Sequence, residues 1–172
     1  PLHVAADETI FSPCTPQIRP APSEVLSVFF YGSFLPLHGI DVILQAASRL
    51  RGQPIAFTLV GGHKQDLRPF HALCSELDLF NVTHIPWIEY VDLPQWACQA
   101  DVCLGGPFGN TGQARRVITG KTFQFLALGR PTVVGLAEKN DQFINQHNCL
   151  LVPQGDPEAL AASIAWAADH RQ

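Results

Sequence analysis

Thr119-Gly120-Lys121-Thr122-Phe123-Gln124-Phe125-Leu126-Ala127-Leu128-Gly129-Arg130-Pro131 runs straight into Thr132-Val133-Val134-Gly135. The first part reads as a loop opening a short helix. Gly129 stops the helix, and a strand follows Pro131. A helix start offers backbone N–H groups without intrahelical partners and a partial positive charge. Gly120 lets a ligand approach that backbone closely, and Lys121 adds a full charge. Such a place calls for an anion, most naturally a phosphate. The tail Gly120-Lys121-Thr122 imitates a Walker A loop, but that motif needs a glycine at position 115, which is Arg115. An ATP-hydrolysing P-loop is therefore set aside.

Upstream, helix and strand patterns alternate. Val25–Tyr31 is a near-continuous apolar run, as expected of a strand buried on both faces. Ile43, Ala46, Ala47 and Leu50 recur at helical spacing after it. Ile55–Val60, Val82–Trp87 and Asp101–Leu104 read as further strands. Residues 65–78 form a helix between the first two, and a short helix capped by Asp92 precedes the third. Downstream, residues 138–147 read as a helix and Cys149–Val152 as a strand. A last helix opens at Asp156-Pro157-Glu158 and buries Leu160, Ile164 and Ala168. The pattern predicts an α/β fold: one parallel sheet with helices on both faces. Residues 25–172 make that domain. Residues 1–24, with a short strand at Leu2–Asp7 and Pro13, Pro16, Pro20 and Pro22, read as an inter-domain linker. With no methionine anywhere, the chain reads as a domain excised from something longer.

A net charge of -4 argues against a dedicated nucleic-acid binder. Five cysteines without a C-x-x-C pair suggest buried free thiols in a reducing cytosol. No apolar run reaches the ~20 residues of a membrane span. Ligands of parallel sheets bind outside the carboxyl ends of the strands. The loops Gly32–Gly39, Gly61–Lys64, Trp87–Tyr90 and Gly105–Lys121 should therefore converge on one crevice. None carries the G-x-G-x-x-G of a dinucleotide site, and the chain has no H-E-x-x-H and no G-x-S-x-G.

Several landmarks remain: Gly32 through His38-Gly39-Ile40-Asp41, Leu59-Val60-Gly61-Gly62, Ala100-Asp101-Val102, Ala127-Leu128-Gly129-Arg130-Pro131 and Asn148 through Pro153. In this order they resemble the C-terminal, donor-binding domain of a GT-B glycosyltransferase of the retaining family 4, or group 1, type. The resemblance extends over almost the whole chain, from residue 4 to the last helix. It implies a Rossmann-like half of a two-domain enzyme with the acceptor site in a missing N-terminal domain. It implies sugar transfer from a UDP-, GDP- or other nucleotide sugar to a glycan or lipid-linked glycan, in cell-surface polysaccharide biosynthesis. It further implies no metal or other cofactor, no nucleic acid, and a cytoplasmic chain, peripheral at the inner membrane face through the missing domain.

By the same resemblance the base rests near Trp87 and Ile88, and the diphosphate lies over Thr119, Gly120 and Lys121. The ribose meets Gln124. Gly32, Ser33, His38, Gly39 and Gly62 line the remaining loops. Lys121 and Arg116 carry the catalytic charge. The family usually has a lysine where His38 stands and a basic residue at Ser33. Its paired glutamates fall on Arg116 and Gln124. An Ile-Pro-Asn-Lys-like subgroup fits Ile118-Thr119-Gly120-Lys121. Each residue also has a plainer reading. Lys121 as a surface lysine, His38 as a helix cap, Arg116 as a solvated charge, Gln124 as a rim residue and the glycines as turns all stay open. Trp87 reads as a packing residue rather than a stacking one. A sugar-nucleotide epimerase, a phosphorylase on the same plan, and a non-catalytic binding module are the alternatives.

Overall fold

Strand β1 (Leu26–Gly32) is apolar on both faces, and both are covered. Val28 and Phe30 enter one core, Phe29 and Tyr31 the other. The computed structural model describes residues 5–15 and 23–171. Five more strands follow: β2 (Ile55–Gly61), β3 (Val82–Ile85), β4 (Val102–Gly106), β5 (Thr132–Gly135) and β6 (Leu150–Val152). They form one sheet in the order β3-β2-β1-β4-β5-β6, with every pairing parallel. β1 and β2 match over their whole length, from Leu26 opposite Ile55 to Gly32 opposite Gly61.

Helices α1 (Ile40–Arg49), α2 (Lys64–Glu76) and α5 (Pro157–Asp169) supply one core, through Ile43, Phe70, Leu160 and Ile164 among others. Helices α3 (Leu93–Gln99) and α4 (Gly120–Ala127) supply the other, through Leu93, Ala97 and Phe125. The chain builds outward from β1 to β3, then returns to lay β4 against the other side of β1. That reversal opens a crevice at the carboxyl ends of β1 and β4. The α/β parallel-sheet expectation holds.

Local expectations fare unevenly. Residues 138–147 form turns, not a helix. Asn148 takes the N–H of Ile144 on its side-chain oxygen and donates to the carbonyl of Gln142, while Asn145 accepts from Leu151 N–H. Asparagine side chains compete here with helical bonding and win. Asp92 stands at the N-cap of α3 but in helical conformation, with no side-chain cap. Asp156 does cap α5, accepting from Glu158 and Ala159 N–H. β3 ends at Ile85, short of Trp87. Of the expected short strand, Leu2–Val4 lie outside the described residues, and Asp7 instead accepts turn bonds from Ile10 and Phe11 N–H. Pro16, Pro20 and Pro22 also lie outside them. The five-thiol expectation is corrected. Cys14 and Cys98 form a disulfide, with Cys74, Cys103 and Cys149 free. Beside it Phe11 is buried among the α3 and α4 side chains.

Candidate functional site

The site is built where α4 meets the ends of β1 and β4. Thr119 precedes the helix in extended conformation. Its hydroxyl donates to Gly105 O on β4 and lies 3.2 Å from the buried Thr122 hydroxyl. These contacts seat the first turn of α4 on the carboxyl end of β4. From there Lys121 reaches across the reversal point to β1. Its Nζ lies 4.8 Å from the Phe30 ring centroid and 5.8 Å from that of Tyr31. The side chain is only 6% exposed, so Lys121 is no surface lysine. Among the described residues the ion pair present is Arg51–Asp78, and no carboxylate pairs with Lys121. Burial lowers its pKa from the usual lysine range to about 7. Aromatic faces attract an ammonium but do not neutralise it.

His38 ends a 3-10 turn (Pro36–His38) after β1. Burial, then the charge of Lys121, lowers its pKa to about 4, so the ring is neutral near pH 7. Its buried Nδ1 makes no hydrogen bond among the described residues. The ring packs edge-on to Phe30, and a side chain at Gly32 would come within 3.2 Å of it. Gly39 follows in the left-handed region (φ +65°), where a Cβ would lie 2.4 Å from Gly109 N. Gly109 N–H donates to Leu37 O, and Gly62 N–H to Gly32 O. The loops after β1, β2 and β4 are thereby joined, as the sequence predicts. Ser33 is half-buried between Gly32 and Phe34.

The loop after β3 joins through Gln124. The Gln124 carbonyl oxygen accepts from the Tyr31 hydroxyl, and its amide donates to the Tyr90 hydroxyl at 3.0 Å. Gln124 is thus no loose rim residue. Trp87 is 72% exposed and does not pack; its indole N–H donates to Glu89 at 3.0 Å. Ile88 is half-buried against the α3–α4 core. Arg116 is exposed and donates to Gly112 O at 2.9 Å, within its own loop. Arg115 bonds Asn110. Among the described residues neither shares a hydrogen bond or ion pair with Lys121.

Sequence reasoning missed Phe30, Tyr31 and Tyr90. The first two end an apolar run and look like core. Only their place at the carboxyl tip of a central strand marks them. A cavity of ≈ 870 Å³ lies elsewhere, between Leu26, Val102, Thr132 and Leu150 at the amino ends of the strands and Trp166 and His170 beside the end of the last helix. It sits at the opposite end of the sheet from the crevice at the carboxyl ends. Among the described residues no three of His, Cys, Asp and Glu gather as a metal site. No described helix is long and apolar enough to cross a membrane.

Residues 26–170 match the family described as glycosyl transferases group 1. No curated protein matches the chain in sequence. Among solved structures, the chain is similar to sucrose-phosphate synthase of Thermosynechococcus elongatus. The identity is 23% and the TM-score 0.75, over 97% of this chain and 42% of that one. It is also similar to HepE of Anabaena, solved with UDP and glucose, at 15% identity and TM-score 0.76, over 96% and 46% of the two chains. A glycosyltransferase from Rickettsia africae aligns at 15% identity and TM-score 0.72, over 86% and 38%. The chain therefore spans less than half the length of these structural relatives.

Proposed function

The chain belongs to the glycosyltransferases of group 1, and from that premise we propose that it is the donor-binding half of a retaining enzyme fed by a nucleoside diphosphate sugar. One observation carries the reading: Lys121 is a buried lysine with no carboxylate partner among the described residues, placed at the sheet's reversal point. An isolated buried charge is costly, and it is offset only by an opposite charge or by giving up its proton. A diphosphate over the first turn of α4 meets Lys121, the helix N-terminus and the unbonded nitrogen of His38. The ribose reaches Gln124, one turn further along, and the base lies toward the exposed face of Trp87. UDP in the HepE complex makes UDP the first ligand to try.

In the proposed transfer, the bond from the sugar's anomeric carbon to the diphosphate breaks. The acceptor oxygen bonds to that carbon on the same face, and the acceptor's proton passes to the departing phosphate oxygen. Lys121 and the helix N-terminus stabilise the charge growing on the diphosphate. The acceptor, a glycan or lipid-linked glycan, binds a second domain. This chain alone binds nucleotide and transfers no sugar.

Calorimetry against UDP, GDP, ADP and their sugars tests the reading. Binding of one of them, weakened about 10- to 100-fold by Lys121→Met, is expected. Unchanged affinity in that variant, or robust transfer by the chain alone, overturns it.

A further inference from the structure

The Cys14–Cys98 disulfide fastens residues 5–15 to helix α3. Among the described residues, the hydrogen bond that joins this segment to the rest of the domain runs from Cys14 N–H to Leu128 O at 3.1 Å. The other holds are apolar. Phe11 is 1% exposed, and Ala6 and Ile10 pack partly buried against the same core. Ordering such a segment costs more backbone entropy than a few apolar side chains return. The covalent bond therefore decides whether residues 5–15 stay in place.

The Phe11 ring faces Tyr90 edge-on, centroids 5.5 Å apart. Tyr90 begins the 3-10 turn Tyr90–Asp92, which leads directly into α3, and its hydroxyl accepts from the Gln124 amide on α4. The disulfide thus bears on this turn twice, through Phe11 and through Cys98 of α3. We propose that Cys14–Cys98 is a redox clasp on the crevice: closed, it holds the Tyr90 turn against α4; opened, it frees residues 5–15 and loosens that turn. Cys14 is half-buried between exposed Pro13 and Thr15, whereas Cys98 is 2% exposed. A thiolate of an external dithiol attacks Cys14 Sγ and displaces Cys98 as a thiolate, which takes up a proton. The dithiol's second thiolate attacks its own partner sulfur in the mixed disulfide and expels Cys14, which is protonated in turn. Two electrons and two protons pass to the protein, and the dithiol leaves as a disulfide. Cys103, in the same core, is no internal reductant, because burial pushes its thiol up to about 12 and keeps it protonated. Where thiols are kept reduced, bonds of this kind are transient, as a switch requires. The effect on nucleotide affinity rests on the donor-binding reading; the effect on the turn does not.

The test combines hydrogen exchange, read by mass spectrometry, with calorimetry against UDP, GDP and ADP. It compares the oxidised chain, the chain reduced with dithiothreitol, Cys14→Ser, and Phe11→Ala with the disulfide intact. Reduction should speed exchange about tenfold in residues 8–15 and 89–93 and leave the paired strands β1 and β2 protected. Affinity for the nucleotide that binds should fall about fivefold and return on reoxidation. Cys14→Ser should match the reduced chain and ignore reductant, and Phe11→Ala should reproduce the loss while still oxidised. Unchanged exchange at 89–93, unchanged affinity despite faster exchange, or full affinity in Phe11→Ala makes the bond a mere staple and overturns the proposal. Loss of protection throughout β1 and β2 means global unfolding and overturns it too. If the oxidised chain binds none of the three nucleotides, the donor-binding reading falls, and the exchange data alone decide the clasp.

Discussion

Lys121 Nζ stands 4.8 Å above the ring of Phe30, so a charge from the first turn of α4 rests on the final apolar side chains of the central strand. The lysine is drawn there by the aromatic faces and held by the packing of α4 on β4. Everything charged that the crevice accepts has to answer it.

Stability should rise with pH because of this residue. Its pKa is lowered from 10.5 in the unfolded chain to about 7 in the fold. Between those values the unfolded state binds more protons, so unfolding becomes harder as pH rises through the window. Urea midpoints measured from about pH 6.5 to 9.5 should climb, and Lys121→Met should flatten that slope. A slope unaltered in the variant assigns the effect elsewhere.

Ligand uptake should be proton-linked. Near neutrality part of the Lys121 population is uncharged, and a diphosphate favours the charged form. Binding then takes up protons, and affinity falls as pH rises above about 7. Calorimetry in buffers of differing ionisation enthalpy reads the uptake directly. His38, with its pKa near 4, should contribute none of it at neutral pH.

Gly39→Ala should destabilise the fold by more than about 2 kcal/mol, since a left-handed alanine costs ~1–2 kcal/mol before any clash. The new Cβ also meets the backbone of Gly109 at 2.4 Å. Guanidinium unfolding measures the total. Nucleotide affinity should fall too, because the loops after β1 and β4 are braced at this point.

The Cys14–Cys98 bond closes a loop with a sequence separation of 84. Cys14→Ser should lower stability by roughly 2–4 kcal/mol, as cross-links over loops of that length do. Unfolding with and without reductant checks it. The reduced wild type should match the variant.

The parallel sheet was legible because short apolar runs alternate with helical stripes, and Gly129-Arg130-Pro131 punctuates helix from strand cleanly. Convergence of the loops followed from the strand ends alone. Three things were not legible. The burial of Lys121 depends on where β1 ends relative to α4, a distance that no spacing in the chain encodes. The grip on Gln124 needs Tyr31 and Tyr90, separated from it by 93 and 34 residues. The turns at 138–147 hide behind a fair helical composition, because Asn145 and Asn148 act through bonds that periodicity does not register.

The broad hollow at the amino ends of the strands bears on inhibitor discovery. A screen steered by concavity would collect compounds lodged beside Trp166, at the back of the domain. β1 alone, seven residues long, sets them about 20 Å from Lys121. Such compounds would bind without reaching Lys121, so hits should be ranked by displacement of nucleotide rather than by affinity.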